Sequence, residues 1–149
     1  MITFQFPLKY LYPKAPNKAE ITQLNAGAKT SDCKIGFKGI LPAPLSRDEI
    51  VEKLFGGWDN SIKILPFGKN KISSVALISG DAPFELFQAI EEDIDLYLTG
   101  ESSHVLYHTA LEAGINVIFG GHYATEVYGV KLLADKVFKE LSLETVFNG

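Results

Sequence analysis

From residue 72 onward, the hydrophobic positions repeat one rhythm: a short apolar run, a turn with glycine, and a longer stretch of helical spacing. Short apolar runs are typical of buried strands, and apolar side chains three and four residues apart are typical of helices. The predicted strands are residues 72–78, 95–98 and 115–119. The predicted helices are residues 84–90, 101–113 and 123–141. Three such βα units in the C-terminal half predict an α/β fold, with a mainly parallel or mixed sheet and helices packed on it.

Residues 46–57 carry the clearest helix signal of the first half. Ser46 and Glu49 form a capping box, in which each side chain can bond the backbone amide of the other residue. Apolar side chains follow at helical spacing, and the glycines at 56 and 57 predict the end of the helix. This signal is structural and says nothing about chemistry.

The other elements of the first half are predicted from shorter patterns. They are a strand at residues 2–6, a short helix at 17–24, a loop at 25–34, and a strand at 33–41 that the sequence PAP at 42–44 stops. Residues 62–67 are predicted to form a hairpin with the strand from residue 72, through a turn at 68–70. A last edge strand is predicted at residues 143–147.

The composition is that of one ordinary globular domain, so we expect residues 1–149 to form a single α/β domain. The chain has 149 residues, of which 46% are apolar and 21% are charged. No apolar run approaches the ~20 residues that a membrane helix needs. The single cysteine, Cys33, excludes an internal disulfide and a cysteine-rich metal site. Because the N-terminus lacks the pattern of a signal peptide, a cytoplasmic protein is expected.

Charge is unevenly distributed along the chain, whose formal net charge is −4. Residues 1–71 carry eleven Lys or Arg and six Asp or Glu, whereas residues 72–149 carry three Lys and twelve Asp or Glu. An acidic second half suits cation binding, and opposite halves favour self-association. Nucleic-acid binding is disfavoured, because basic residues are not clustered beside aromatic ones.

Residues 120–126 (GGHYATE) connect the third predicted strand to the last predicted helix. If that helix begins near Tyr123, His122 and Glu126 lie about one turn apart on the same side, with Cβ atoms roughly 5–6 Å from each other. An imidazole and a carboxylate at the C-terminal end of a strand can bind one metal ion. In the alternative interpretation, His122 caps the turn and Glu126 interacts with the helix dipole.

The turn after the second predicted strand adds further candidates. Glu101, His104 and His108 fall on one stripe of the predicted helix, and all three histidines of the chain lie within residues 104–122. This clustering makes Glu101 and His104 candidate catalytic groups. In the alternative, His108 is a buried core histidine.

The turn at residues 79–81 (SGD) precedes the first of the three helices. Its amides and hydroxyl could bind an anion, or Asp81 could cap the helix. We favour the cap, because aspartate is a good N-cap and no P-loop lysine follows.

Several blocks of the sequence resemble the dinuclear-metal proteins named for an Ngg-one-interacting factor, which are also known as GTP cyclohydrolase I type 2 homologues. The blocks are residues 98–101 (LTGE), 113–116 (AGIN) and 120–126 (GGHYATE), and their spacing also matches. Residues 36–42 (GFKGILP), followed by a capped helix, resemble a segment further upstream in that family. The chain looks like the C-terminal half of such a protein, or a shortened relative.

The resemblance implies a site for two metal ions between two halves of a longer chain. The second half contributes a histidine and a glutamate, at positions that are His122 and Glu126 here. The first half contributes paired histidines, which this chain lacks, and an aspartate, at whose position Lys9 would repel a cation. A divalent ion (Zn, Fe or Mn) is expected, with Glu101 and His104 behind the ligands or facing the substrate.

The resemblance implies a metal-dependent hydrolase of the cyclohydrolase type, acting on a nucleotide-like small molecule. A metal held by His122 and Glu126 would activate water, and Glu101 or His104 would move protons. The alternative is a non-catalytic metal- or partner-binding assembly module, since the family forms ring-shaped oligomers and the metal site is incomplete here. A metal-free remnant is a third hypothesis. A homo-oligomer is expected, without nucleic-acid or membrane partners.

Overall fold

A computed structural model of the chain describes residues 21–25 and 34–148, with only the backbone given for residues 21–25 and 34. One sheet contains six strands: β1 (Ile21–Asn25), β2 (Lys34–Leu45), β3 (Lys63–Pro66), β4 (Ile72–Leu77), β5 (Leu96–Thr99) and β6 (Asn116–Phe119). The helices of the described residues are α1 (Arg47–Phe55), α2 (Leu86–Glu91), α3 (Leu106–Ala113) and α4 (His122–Leu141). The strand order is β1-β2-β4-β5-β6-β3, in which β4, β5 and β6 are parallel and the other pairs antiparallel. The predicted α/β fold with three βα units is confirmed.

Both faces of the central strands are buried, because successive side chains of a strand point to opposite faces. One face packs against α1, in a cluster that includes Ile50, Val51, Leu54, Val75, Leu77, Leu98 and Ile118. The other face packs against α2 and α3, in a cluster that includes Ala76, Leu86, Tyr97, Leu106, Ala110 and Val117. This burial explains why the parallel strands read as nearly continuous apolar runs.

The capped helix is confirmed in detail. The Glu49 amide donates to the Ser46 hydroxyl over 3.2 Å, and the Ser46 amide donates to the Glu49 carboxylate over 2.7 Å. Gly56 ends α1 in the left-handed region, with φ of 77°, and its amide donates to the carbonyl of Glu52. Local chemistry alone determines both ends of this helix.

The short helix predicted at residues 17–24 is wrong where the structure describes it. Residues 21–25 form β1, which pairs antiparallel with residues 34–39 of β2. A sheet neighbour satisfies the backbone groups of this segment, so its weak helical pattern does not decide its conformation.

The predicted end of the strand at residues 42–44 is also wrong, because β2 continues through them to Leu45. Its pairing with β4 shifts register between Ile40, opposite Ser74, and Leu45, opposite Ile72. The prolines therefore lie in a β-bulge, where their missing N–H groups cost no ladder hydrogen bond.

The hairpin predicted for residues 62–67 does not form. The strand itself exists as β3, but it pairs antiparallel with β6 at the far edge of the sheet. The connecting residues are held by Asn116 at the start of β6. Its side-chain oxygen accepts from the Gly68 amide over 3.2 Å, and its side-chain nitrogen donates to the Lys69 carbonyl over 2.9 Å.

Two helices begin later than predicted. The Glu101 amide donates to the Gly80 carbonyl over 3.1 Å, which holds this segment against the neighbouring turn, and α3 begins only at Leu106. Likewise, α2 begins at Leu86 after Glu85, with no side-chain cap. The prediction that Asp81 caps this helix is therefore wrong.

Residues 142–148 contain neither helix nor strand, so the edge strand predicted at 143–147 is wrong. The predicted strand at residues 2–6, Lys9 and Cys33 lie outside the described residues. Within the part of the chain that the structure describes, none of the helices has both the length and the apolar character needed to cross a membrane.

Candidate metal centre

The turns that follow β4, β5 and β6 meet at one edge of the sheet, because these strands are parallel. Their backbones are joined in series. The Gly100 amide donates to the Gly80 carbonyl over 2.9 Å, and the Gly121 amide donates to the Gly100 carbonyl over 2.9 Å. Side chains on the three turns are thereby held in fixed relative positions at the edge where α/β proteins bind ligands.

His122 is the centre of a short row of ionisable side chains at this edge. It begins α4, and its Nε2 lies 3.2 Å from Oε1 of Glu126 on the next turn of the helix. Its other ring nitrogen, Nδ1, is hydrogen-bonded to the carboxylate of Glu101, which belongs to the turn after β5. The His122, Glu101 and Glu126 side chains are 48%, 49% and 54% exposed, so solvent ions can reach them.

The flanking carboxylates determine how the imidazole titrates. The hydrogen bond to Glu101 raises the pKa of His122; partial burial opposes this shift, and the charge of Glu126 adds to it. A metal ion must displace the proton on Nε2 to bind there, so metal binding is favoured as the pH rises. The proton on Nδ1 can remain in place, since it faces Glu101.

Gly80 and Thr125 hold the three side chains in place, and no sequence motif around either residue predicts this role. Gly80 has φ of +72°, and a Cβ on it would lie 2.7 Å from Oε1 of Glu126. Its amide donates to the Thr125 hydroxyl over 3.1 Å, which ties the first turn of α4 to the turn after β4. The glycine at the middle of the turn at residues 79–81 could have indicated a left-handed backbone conformation there, because glycine adopts that conformation readily.

The family model described as Duf34/NIF3 (NGG1p interacting factor 3) matches residues 8–148. The chain belongs to this family. Among Duf34/NIF3 relatives, the GTP cyclohydrolase 1 type 2 homolog of Treponema pallidum (strain Nichols) is 45% identical over 105 residues, which cover 70% of this chain and 37% of the relative. The homolog of the same name from Archaeoglobus fulgidus is 42% identical over 114 residues, covering 76% and 44%.

The chain spans about half the length of the curated Duf34/NIF3 relatives that it matches. The same holds for a solved structure, described as protein ybgI of unknown function. It superposes with a TM-score of 0.72 over 95% of this chain and 53% of the other, at 23% identity. At this identity, the likeness concerns the fold alone. The family resemblance inferred from the sequence is confirmed.

The other two histidines are placed differently from their prediction. Residues 101–105 are not helical, so Glu101, His104 and His108 do not share one helical stripe. His104 is exposed, and its side chain has no hydrogen bond or ion pair within the described residues. His108 is exposed beside the Tyr107 ring, 5.3 Å away between centroids, so the idea of a buried core histidine is also wrong.

The chemistry of His122 and Glu126 fits a divalent metal ion, but their number does not complete a site. Imidazole nitrogen and carboxylate oxygen are ligands that suit Zn²⁺, Fe²⁺ and Mn²⁺. Within residues 35–148, no three His, Cys, Asp or Glu side chains are grouped to hold a metal ion. His122 and Glu126 would hold the ion, while Glu101 lies on the opposite side of the imidazole.

Proposed function

We propose that this chain binds a divalent metal ion, Zn²⁺, Fe²⁺ or Mn²⁺, through Nε2 of His122 and the carboxylate of Glu126. We also propose that it takes part in a metal-dependent hydrolysis of the kind suggested by its relatives' name, GTP cyclohydrolase 1 type 2 homolog. The observation that supports this proposal is the 3.2 Å approach of Nε2 to Oε1 at the ligand edge of a parallel sheet.

In this proposal, Glu101 fixes the orientation of the His122 imidazole. A carboxylate on Nδ1 fixes the proton there, so that the lone pair of the neutral ring is on Nε2 and faces Glu126. The same arrangement of carboxylate, histidine and metal orients ligands in zinc enzymes. In this proposal, Glu101 is a positioning residue for the metal ligand.

A bound ion of this type would supply an activated water molecule at near-neutral pH. The residues of the chain would hold the ion, orient the imidazole and leave the exposed side of the centre open to water and substrate. A nucleotide-like small molecule is the substrate class that the relatives' name suggests. His104 stays a predicted proton carrier, since its side chain is exposed and uncommitted among the described residues.

Metal content by mass spectrometry tests the proposal, on the protein loaded with Zn²⁺ and then dialysed. We expect His122→Ala and Glu126→Gln each to lose at least about tenfold in metal affinity, because each removes one of two ligands. The matched controls are His108→Ala and Glu140→Gln, which remove an exposed histidine and an exposed glutamate elsewhere. Retention of metal by both site variants would overturn the proposal.

The outer side of α4 favours a second candidate function, an assembly module. Only Thr125 is buried in this 20-residue helix. Large apolar side chains are exposed along it and after it: Tyr123, Val130, Leu133, Phe138, Leu141, Leu143, Val146 and Phe147. Clusters of large exposed apolar side chains are typical of interaction surfaces. We propose that a second copy of the chain covers it, so that α4 supports a homo-oligomer.

Light scattering coupled to size exclusion tests this candidate with the variant Leu133→Lys/Leu141→Lys. We expect the double variant to have a lower oligomeric mass and unchanged metal content, because a lysine pair in the interface would lose its hydration. The control is Lys136→Glu/Lys139→Glu on the same helix. A wild-type protein that is monomeric at high concentration would contradict the assembly candidate and leave the metal proposal intact.

A further inference from the structure

A cleft of about 220 Å³ lies beside Glu126, between β2 and α4. Ile35, Phe37 and Leu77 supply its apolar walls. Its polar lining includes Ser79 and Glu126, which belong to the turn after β4 and the start of α4. These elements also carry the candidate metal centre, so the cleft adjoins that centre at Glu126.

The walls follow from the geometry of the elements. Ile35 and Phe37 are two residues apart on β2 and therefore lie on the same face, and Phe37 is paired with Leu77 of the neighbouring strand. Glu126 and Gly129 are three residues apart on α4 and share one side of that helix.

Gly129 lines the cleft and adds no side chain to it. Glycine in the interior of a helix is less favourable than alanine, so a glycine within α4 lowers the intrinsic stability of the helix. At this position, glycine leaves space beside Glu126 that a larger residue would reduce.

We infer that this cleft binds a single planar, uncharged ring whose oxygen-donor substituent points toward His122 and Glu126. The volume fits this class, since a cavity of about 150 Å³ can hold benzene, whereas pockets for drug-sized ligands measure roughly 300–1,000 Å³. The apolar walls favour an uncharged ring, and the ionisable row next to it favours a polar substituent at one end only. The inference about the oxygen donor rests on the proposed metal function, whereas the inference that the cleft binds a ring does not.

Calorimetry on zinc-loaded protein tests the inference with benzohydroxamate and acetohydroxamate, which share one donor group and differ by the ring. We expect benzohydroxamate to bind about tenfold more tightly or better, because it buries an aromatic ring. Gly129→Leu, which fills the cleft, should abolish that preference, whereas Gly129→Ala should reduce it. Val130→Leu adds bulk at the next, exposed position of α4 and should leave the preference unchanged.

A metal-free arm separates the failure of this inference from the failure of the metal proposal. Methyl NMR would follow Leu77 and Ile35 during addition of benzyl alcohol, with saturable shifts expected in the wild type and none in Gly129→Leu. Saturable shifts in a protein that retains no zinc would support the cleft and overturn the metal proposal. Equal hydroxamate affinities, or the absence of saturable shifts at these methyl groups, would overturn the cleft inference even if zinc is retained.

Discussion

The two ends of the parallel strands use polar side chains in opposite ways. At the end where the strands begin, Asn116 is completely buried and its side chain makes four hydrogen bonds, to Arg47, the Gly68 amide and the carbonyls of Lys69 and Asp95. These bonds connect Asn116 to three segments that are distant from it in sequence. The hydrogen-bonding groups of the Asn116 side chain therefore stabilise the fold.

At the end where the strands finish, His122, Glu101 and Glu126 are half exposed and face mainly one another. The backbone of the three turns is bonded internally and does not satisfy these side chains. Each ring nitrogen of His122 faces a different carboxylate, and a cation could bind between Nε2 and Glu126. A polar side chain therefore indicates function when the fold does not use its hydrogen-bonding capacity.

Among the variants that test the difference between the two ends, Asn116→Ala is expected to have the largest effect on stability. It would leave the Gly68 amide and the Lys69 carbonyl without their partner, so we expect a loss of about 2–4 kcal/mol in the free energy of unfolding. Urea denaturation of the metal-free protein measures this loss. Asn70→Ala, which removes one exposed bond from Arg47, is the control and should change stability by less than about 0.5 kcal/mol. A variant as stable as the control would mean that this end of the sheet is not a structural network.

Features set by local chemistry could be predicted from the sequence. The capping box at Ser46, the three βα units and the one-turn spacing of His122 and Glu126 all depend on residues close together in the chain. Turn residues and hydrophobic period carry that information directly. They led to the correct fold class and placed the candidate ligand pair on one side of α4.

Features set by distant partners could not be predicted. The contact of Glu101 with His122 spans 21 residues, and β3 pairs with β6, whose Asn116 bonds the segment after β3. The path of β2 through two prolines depends on a bulge against β4. In each case, the deciding group lies on another element, so a local pattern contains no sign of it.

Asp95 is expected to make the stability of the protein depend on pH, with an effect of intermediate size. Burial alone would raise the pKa of Asp95, but hydrogen bonds from Lys69 and from the Ser73 and Ser74 amides outweigh it and hold the pKa below its usual range. A depressed carboxyl pKa adds stability above the unfolded-state pKa of about 3.9, and this stability is lost as the pH falls through the folded-state value.

We therefore expect Asp95→Asn to cost about 1–2 kcal/mol at neutral pH and progressively less as the pH falls below about 4. Chemical denaturation at a series of pH values measures the difference. Asp93→Asn, at an exposed neighbouring position, is the control. A stability difference that stays constant from neutral to acid pH would show that the charge of Asp95 is not what stabilises this end.

Glu101→Gln is expected to have the smallest effect on stability. It tests the end of the sheet where the parallel strands finish. The side chain is 49% exposed, so we expect the free energy of unfolding to change by less than about 0.5 kcal/mol. Metal affinity, measured by competition with a chelator, should fall about 10- to 100-fold, because the neutral amide orients the imidazole less firmly and makes Nε2 less basic. Glu112→Gln on α3 is the exposed control and should leave both quantities unchanged. The opposite result, a large loss of stability with metal affinity intact, would place Glu101 with Asn116 as a residue that serves the fold. The difference drawn between the two ends of the sheet would then be wrong.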